Sequence, residues 1–412
     1  MTENRRESII IVSYQFCPRG RIGTRRWSKF AKYLSRLYKV HVICAKYPFR
    51  DKLNWCEDVE GNPNIIIHKT NTIYPSLAIH ENRSFVVKIL FNALNVYPFY
   101  KDEAQYWKKS LFLKIDELRL NENIKNIIVT GAPFSPLHHM AIYKEKHPEI
   151  NLILDLRDPW MQLLNKNYKF FSHWKFNKEL QNEDFAFQMA DKILLVTQTF
   201  KEQYQQIYPQ FSDKMTTVFN GFDAEDFDKV MESRIAESKI AYAGALFKGR
   251  ADGMMLLIKA LEKYNKSSKN ICTIDIYSNQ LDPKFEKEVK SNLNSFVFLK
   301  SPLPQKQLFK ALKSYAYLLT INEKRAPFAF GTKVFEYIAL GKKIILISPD
   351  GELYQLLKSK NQLVSDYSES QINKMSKKLF RDIEENFIAS PKDLYDDFSI
   401  KSLTESLIPS FK

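Results

Sequence analysis

The chain has 412 residues, 44% hydrophobic and 26% charged, with a net charge of +15. That length exceeds one compact core and suits two domains, and the mix is that of a soluble globular protein rather than a disordered or fibrous one. Residues 1–50 hold twelve Lys/Arg against Glu3 and Glu7, a local charge of +10. Such an excess suits an anionic partner (phosphorylated ligands, an anionic membrane or nucleic acid), although solubility alone would also account for it.

The four cysteines, Cys17, Cys44, Cys56 and Cys272, form no CxxC pair and no His-partnered spacing. A disulfide framework or zinc site is not expected, and a reducing compartment fits. The opening MTENRRESIIIVSYQF passes from charge into a short apolar run, too short for a signal peptide or a membrane span, and no later stretch reaches spanning length. The expected location is the cytoplasm.

Short β-branched runs alternate with helical patterns along most of the chain, as in βα units on a parallel sheet. The first series predicts strands at Ile9–Ser13, Val40–Cys44, Ile65–His68, Asn126–Thr130, Asn151–Asp155 and Lys192–Thr197. A helix is predicted over Thr24–Leu37, with Trp27, Phe30, Ala31, Leu34 and Leu37 on its apolar face and Arg25, Arg26, Lys29, Lys32 and Arg36 opposite. The aromatic-rich segment Ser84–Leu113 reads as core or as an interfacial element. Ser135-Pro136 opens another helix, carrying His138 and His139.

The second series predicts strands at Lys239–Ala243, Thr273–Tyr277, Phe296–Leu299, Tyr317–Ile321 and Lys343–Ile347. Helices are predicted near Gly253–Tyr264, Gln305–Lys313 and Lys333–Leu340. The break falls in the charged segment Ala224–Ser238. Two consecutive α/β series predict two Rossmann-like domains, residues 1–222 and 223–391, with ligands beyond the carboxyl ends of the strands. Residues 392–412 read as a helix crossing back to the first domain.

Several blocks, in order, resemble glycosyltransferase family 4, and more narrowly its bacterial surface-polysaccharide enzymes. They are FCPRGRIGTRRWSKFAKYL, GAPFSP, LILDLRDPW, ADKILLVTQTF with VFNGFD, KIAYAGALFKGR and GTKVFEYIALGKKIIL, spanning roughly residues 9–350. The resemblance implies a GT-B fold, α/β with two Rossmann-like domains facing a central cleft. It also implies retaining transfer of a hexosyl group from a nucleotide sugar to a glycan or lipid-linked acceptor. The nucleotide sugar is a co-substrate, and neither a cofactor nor a metal is expected.

The expected donor residues begin with Gly331, Thr332 and Lys333, where a helix N-terminus, with Thr332 as its cap, and a cation can hold a diphosphate. Glu336 follows one turn later, and the resemblance gives it the ribose hydroxyls. The family's earlier glutamate position, eight before Glu336, is Phe328 here, so a backbone group of Ala326–Ala329 is expected to substitute. In the loop Gly244–Arg250, the family's arginine position is Ala245, leaving Lys248 and Arg250 for the diphosphate. Gly20 and Gly23 match the family's glycine loop, and Arg25 and Arg26 are placed near donor or acceptor phosphate. Asp158 and Arg157, just past the strand Asn151–Asp155, are the candidate catalytic residues; Asp158-Pro159 is also a good helix start. His138 is placed on the acceptor side.

Two rivals remain. One is a nucleotide-sugar epimerase of the same fold. The other is a basic nucleic-acid-binding protein, for which no RNP, KH or zinc-finger pattern speaks, so no nucleic-acid partner is expected. The basic helix and the aromatic segment together predict peripheral binding to the inner face of an anionic membrane.

Overall fold

The computed structural model describes residues 6–17, 22–46, 56–72, 102–160, 173–227, 236–247, 249–268, 270–324, 330–385 and 390–412. It divides into two compact units. One comprises Met1–Phe219 with Leu403–Lys412, the other Asn220–Ser402.

The first unit is built on β1 (Ser8–Val12), β2 (Lys39–Ala45), β3 (Ile65–Thr70), β4 (Ile124–Gly131), β5 (Asn151–Leu156), β6 (Lys192–Leu195) and β7 (Met215–Thr217). They form one sheet in the order β3-β2-β1-β4-β5-β6-β7, with every pairing parallel. Parallel sheets are covered on both faces, so their strands read as unbroken apolar runs; β1 and β5 are buried at every position. Helices α1 (Ile22–Leu34), α2 (Lys108–Asn121), α3 (Ser135–Lys146), α4 (His173–Met189) and α5 (Gln198–Ile207) connect the strands.

α1 buries Trp27, Phe30, Ala31 and Leu34 completely. It ends at Leu34 rather than Leu37, and Leu37 is exposed. The opposite face differs more from expectation. Arg25, Arg26 and Lys29 are buried, Lys29 pairs with Asp58 at 2.8 Å, and Lys32 lies 3.5 Å from the same carboxylate. Arg36 packs over the Tyr33 ring at 4.3 Å. These cations meet partners inside the unit, so the helix does not present the free basic face expected for a membrane.

Of the aromatic segment Ser84–Leu113, residues 84–101 lie outside the described residues. The remainder reaches the core at three positions, Ala104, Trp107 and Leu111, which are fully buried, while Tyr106 and Leu113 are exposed; Trp107 Nε1 donates to Thr70 Oγ1 at 2.7 Å. Asp102 accepts from the backbone N–H groups of Phe134 and Ser135, both at 2.8 Å, and so caps α3 from a distant part of the chain. Burial nonetheless pushes its carboxyl pKa up.

The second unit repeats the plan with β8 (Ala236–Ala243), β9 (Thr273–Tyr277), β10 (Val297–Lys300), β11 (Tyr315–Ile321), β12 (Lys343–Ile347) and β13 (Leu363–Ser365). The order is β10-β9-β8-β11-β12-β13, again all parallel. Its helices are α6 (Gly249–Asn265), α7 (Pro283–Asn292), α8 (Gln305–Leu312), α9 (Thr332–Ala339), α10 (Glu352–Ser359) and α11 (Glu369–Glu384).

The C-terminal stretch is not one helix. Two short helices, α12 (Tyr395–Phe398) and α13 (Ile400–Leu407), are separated by extended Ser399, which bridges to Phe222. A 3-10 turn with Pro409 in its first turn then closes the chain. The last residues pack in the first unit, where Asn126 and Asn151 donate to the carbonyls of Lys412 and Ser410.

Candidate functional site

In a doubly wound sheet the connections leave in opposite directions from two neighbouring strands, opening a crevice beyond their carboxyl ends. In the second unit these strands are β8 and β11. Gly244 follows β8, and Asn322 and Glu323 follow β11.

Two helices bring cations to this crevice. Lys333 is the second residue of α9, and its ammonium lies 5.5 Å from the centre of the Tyr242 ring. Gly244 has φ +137°, and a Cβ built there would lie 1.5 Å from Lys333 Nζ. Only a glycine fits both the backbone and the space. Burial lowers the Lys333 ammonium to about 8; Glu336 opposes this and Arg250 adds to it. The group therefore holds its proton at a cost, which a bound anion would relieve.

Arg250, second in α6, reaches Glu323 at 3.5 Å through Nη2, while its buried Nε has no hydrogen-bond partner among the described residues. Burial also lifts the Tyr242 and Tyr367 hydroxyls to about 12, with Arg250 opposing in each case. Tyr242 donates to the Ala245 carbonyl at 2.8 Å and Tyr367 to that of Asn322.

Gly331, not Thr332, is the cap of α9, in extended conformation with no side chain closing the helix end. Thr332 is the first helical residue. The difference follows from backbone geometry: a cap must lie outside helical φ/ψ, and Gly331 does so at φ −63° and ψ 133°. Among the described residues, a Cβ at Gly331 would find only Asn322 Oδ1, at 3.8 Å, and the N–H of Val334 already donates to the Gly331 carbonyl at 3.1 Å. Glu336 is buried one turn further along. Lys248 and the segment Ala326–Ala329, with Phe328, lie outside the described residues.

In the first unit the corresponding strands are β1 and β4. Arg157, just past β5, donates from Nε to the Gly131 carbonyl at 2.9 Å and from Nη2 to that of Ala132 at 2.8 Å. Its Nη1 lies 2.3 Å from where a Cβ on Gly23 would stand. Gly23, matched to the family's glycine loop, thus leaves room for the Arg157 guanidinium at the start of α1. Burial lowers the pKa of this guanidinium, against the pull of Asp155 and Asp158.

Arg26 is part of the framework rather than of a ligand surface. It donates to Asp155 Oδ1 from Nε (3.1 Å) and Nη2 (2.9 Å), and to the carbonyls of Val218 and Phe219. The other oxygen of Asp155 accepts from Trp27 Nε1 and Thr130 Oγ1. Sequence reasoning missed Asp155 as an organising residue; the only signal was one acid inside the apolar run LILDL. Arg25 is buried on α1, Asp158 is exposed in a bend, and His138 on α3 packs edge-on to Phe185 at 6.0 Å. Pro159 and Trp160, which would open a helix capped by Asp158, are not helical, and Gly20 lies outside the described residues.

No protein-family model and no curated protein sequence matches the chain. Solved structures do. The N-terminal domain of trehalose-6-phosphate phosphatase from Candida albicans is similar at TM-score 0.65 and 14% identity, over 98% of this chain and 96% of that one. Sucrose-phosphate synthase from Thermosynechococcus elongatus gives 0.62 at 11%, over 98% of each chain. The chain has the GT-B fold. HepE from Anabaena, solved with UDP-glucose, gives 0.58 at 12%, again over 98% of each. At such identities the likeness extends to the fold.

Proposed function

We propose that the chain is a glycosyltransferase that takes its sugar from a nucleotide-sugar donor. The observation that carries this is the crevice between β8 and β11, where Lys333 sits in a slot left by Gly244 at the N-terminus of α9. The helix end supplies N–H donors and the positive end of its dipole, and Lys333 and Arg250 supply full charges for a diphosphate leaving group. Glu336 is the acceptor for ribose hydroxyls. The UDP-glucose in HepE and the sugar-phosphate names of the other similar structures support this reading.

In its finer form the reading is a retaining, metal-independent hexosyl transfer to a glycan or lipid-linked acceptor in bacterial surface-polysaccharide synthesis, at the cytoplasmic side of a membrane. Catalysis would rest on positioning and on charge stabilisation of the leaving diphosphate. Arg157 is the proposed cation of the first unit, and Asp158 its proposed partner toward the sugar or acceptor. No helix among the described residues is long and apolar enough to cross a membrane, so attachment there would be peripheral.

The test is incubation with a panel of nucleotide sugars and glycan acceptors, with and without EDTA, measuring free nucleotide. Acceptor-dependent release that survives EDTA is expected. Conversion of the nucleotide sugar without nucleotide release would instead indicate an epimerase. Binding of nucleic acid with no use of any nucleotide sugar would overturn both.

A further inference from the structure

The charge on the chain has a second concentration, far along the sequence from its basic first fifty residues. α10, the outermost strand β13 and α11 line an open groove of about 490 Å³. Five of the residues lining it are cations, Lys358, Lys374, Lys377, Lys378 and Arg381, and none of its lining residues carries a carboxylate. Four of these cations occupy one face of α11 at spacings of three and four, where like charges repel. The acid on that helix nearest to them in sequence, Asp382, is turned away and paired with buried Lys343 at 2.6 Å. Lys360, on the loop into β13, is paired with Asp393 at 2.7 Å.

We propose that this groove binds a compact, multiply phosphorylated molecule. Three features favour that occupant. The volume falls within the range of small-ligand pockets, roughly 300–1,000 Å³. The floor is apolar and recessed, formed by Leu363, Val364 and Met375, which a concave site offers to a small molecule rather than to a flat lipid surface. The cations stand about one helical turn apart, roughly 5–6 Å, a spacing that lets neighbouring phosphoryl groups each meet an ammonium or guanidinium. Lys378 is already oriented by donating to Asn361 Oδ1 at 2.6 Å.

The groove is separate from the crevice that holds Lys333. Its strand residues, Gln362 to Val364, are at the amino-terminal end of β13, whereas Gly244 and Asn322 follow the carboxyl ends of β8 and β11. Its lining shares no residue with the proposed donor site.

The experiment is calorimetric titration of inorganic tripolyphosphate into the full chain carrying Lys333→Gln, which weakens the competing anion site. One molecule should bind per chain, with affinity falling as salt rises. Lys374→Glu/Lys377→Glu should reduce that affinity at least tenfold, and Lys374→Gln/Lys377→Gln should reduce it less while keeping the helix face free of new acids. No binding to the Lys333→Gln chain, or equal affinity in both double variants, overturns the proposal. So does sedimentation with phosphatidylglycerol vesicles that depends on these lysines in a chain that ignores tripolyphosphate; that result would make the groove a lipid contact.

Discussion

Gly244 and Lys333 occupy one space: a side chain on the first would stand 1.5 Å from the ammonium of the second. The backbone at Gly244 has φ +137°, which L side chains rarely adopt, so Gly244→Ala brings strain and collision together. The strain should cost about 1–3 kcal/mol of stability in the second unit. Nucleotide binding should fall by more than that loss predicts, because Lys333 is displaced. Gly61→Ala is the control, with φ +81° but nothing among the described residues within 4 Å of its Cβ. It should cost stability and leave binding intact. Equal nucleotide affinity in Gly244→Ala and the parent would remove Lys333 from the site.

The depressed pKa of Lys333, about 8, predicts a pH dependence of binding. An unfolded lysine titrates near 10.4, so between about 8 and 10.4 the unfolded chain binds more protons. Stability from this group therefore rises with pH across that window, while its charge is lost. UDP affinity should fall as pH rises above 8, by up to about tenfold per unit if only the ammonium binds. Lys333→Arg keeps the charge and should flatten the profile. A parent profile level from pH 7 to 9.5 would contradict the assignment.

Glu336→Gln tests the ribose contact. The residue is buried on α9, and the amide matches its shape while removing the charged acceptor. Donor KM should rise about five- to fifteenfold, from a lost charge-assisted bond of about 1–1.5 kcal/mol. The thermal midpoint should change little. Unchanged KM and kcat would exclude Glu336 from the site.

The strands β9 and β12 were legible residue for residue, KIILI as the apolar run of a buried parallel strand and TIDIY as a β-branched alternation. The three-residue strands β7 and β13 were not, since so short a run carries no period. The start of α9 was read from GTK to within one residue of its cap, but Arg250 was read into a loop with the helix near Gly253, whereas α6 begins at Gly249. What could not be read was which cations are committed elsewhere. Arg26 and Lys29 look like Lys333 in a sequence, yet Asp155 and Asp58 occupy the first two. Asp155 lies 129 positions from Arg26, a separation at which local pattern says nothing. The capping of α3 by Asp102 escaped for the same reason.

The last prediction concerns acid. His41, on β2, lies 3.0 Å from Glu122 through Nε2 and 3.0 Å from His68 Nε2 through Nδ1. A carboxylate can only accept, so His41 carries its proton on Nε2, and its Nδ1 accepts from His68. A second proton on His41 would set donor against donor. Burial lowers His68 to about 4, helped by His41 and Lys114 and opposed by Glu117 and Glu122; burial also lowers His41, against Glu122. Glu122 reaches about 2 although its desolvation acts upward, because Lys39, Ser8 and His41 hydrogen-bond to it. Both histidines therefore bind protons less readily when folded, so stability of the first unit should fall as pH drops from about 6.5 toward 4. Glu122 would add its own loss only below about 4.3. His68→Gln keeps an N–H donor and removes one titration, so its urea midpoint between pH 5 and 6.5 should fall less steeply than the parent's. Imidazole proton resonances should show His68 neutral through that range. Parallel slopes in parent and variant, with a His68 resonance titrating near 6.5, would break the link between this pair and acid lability.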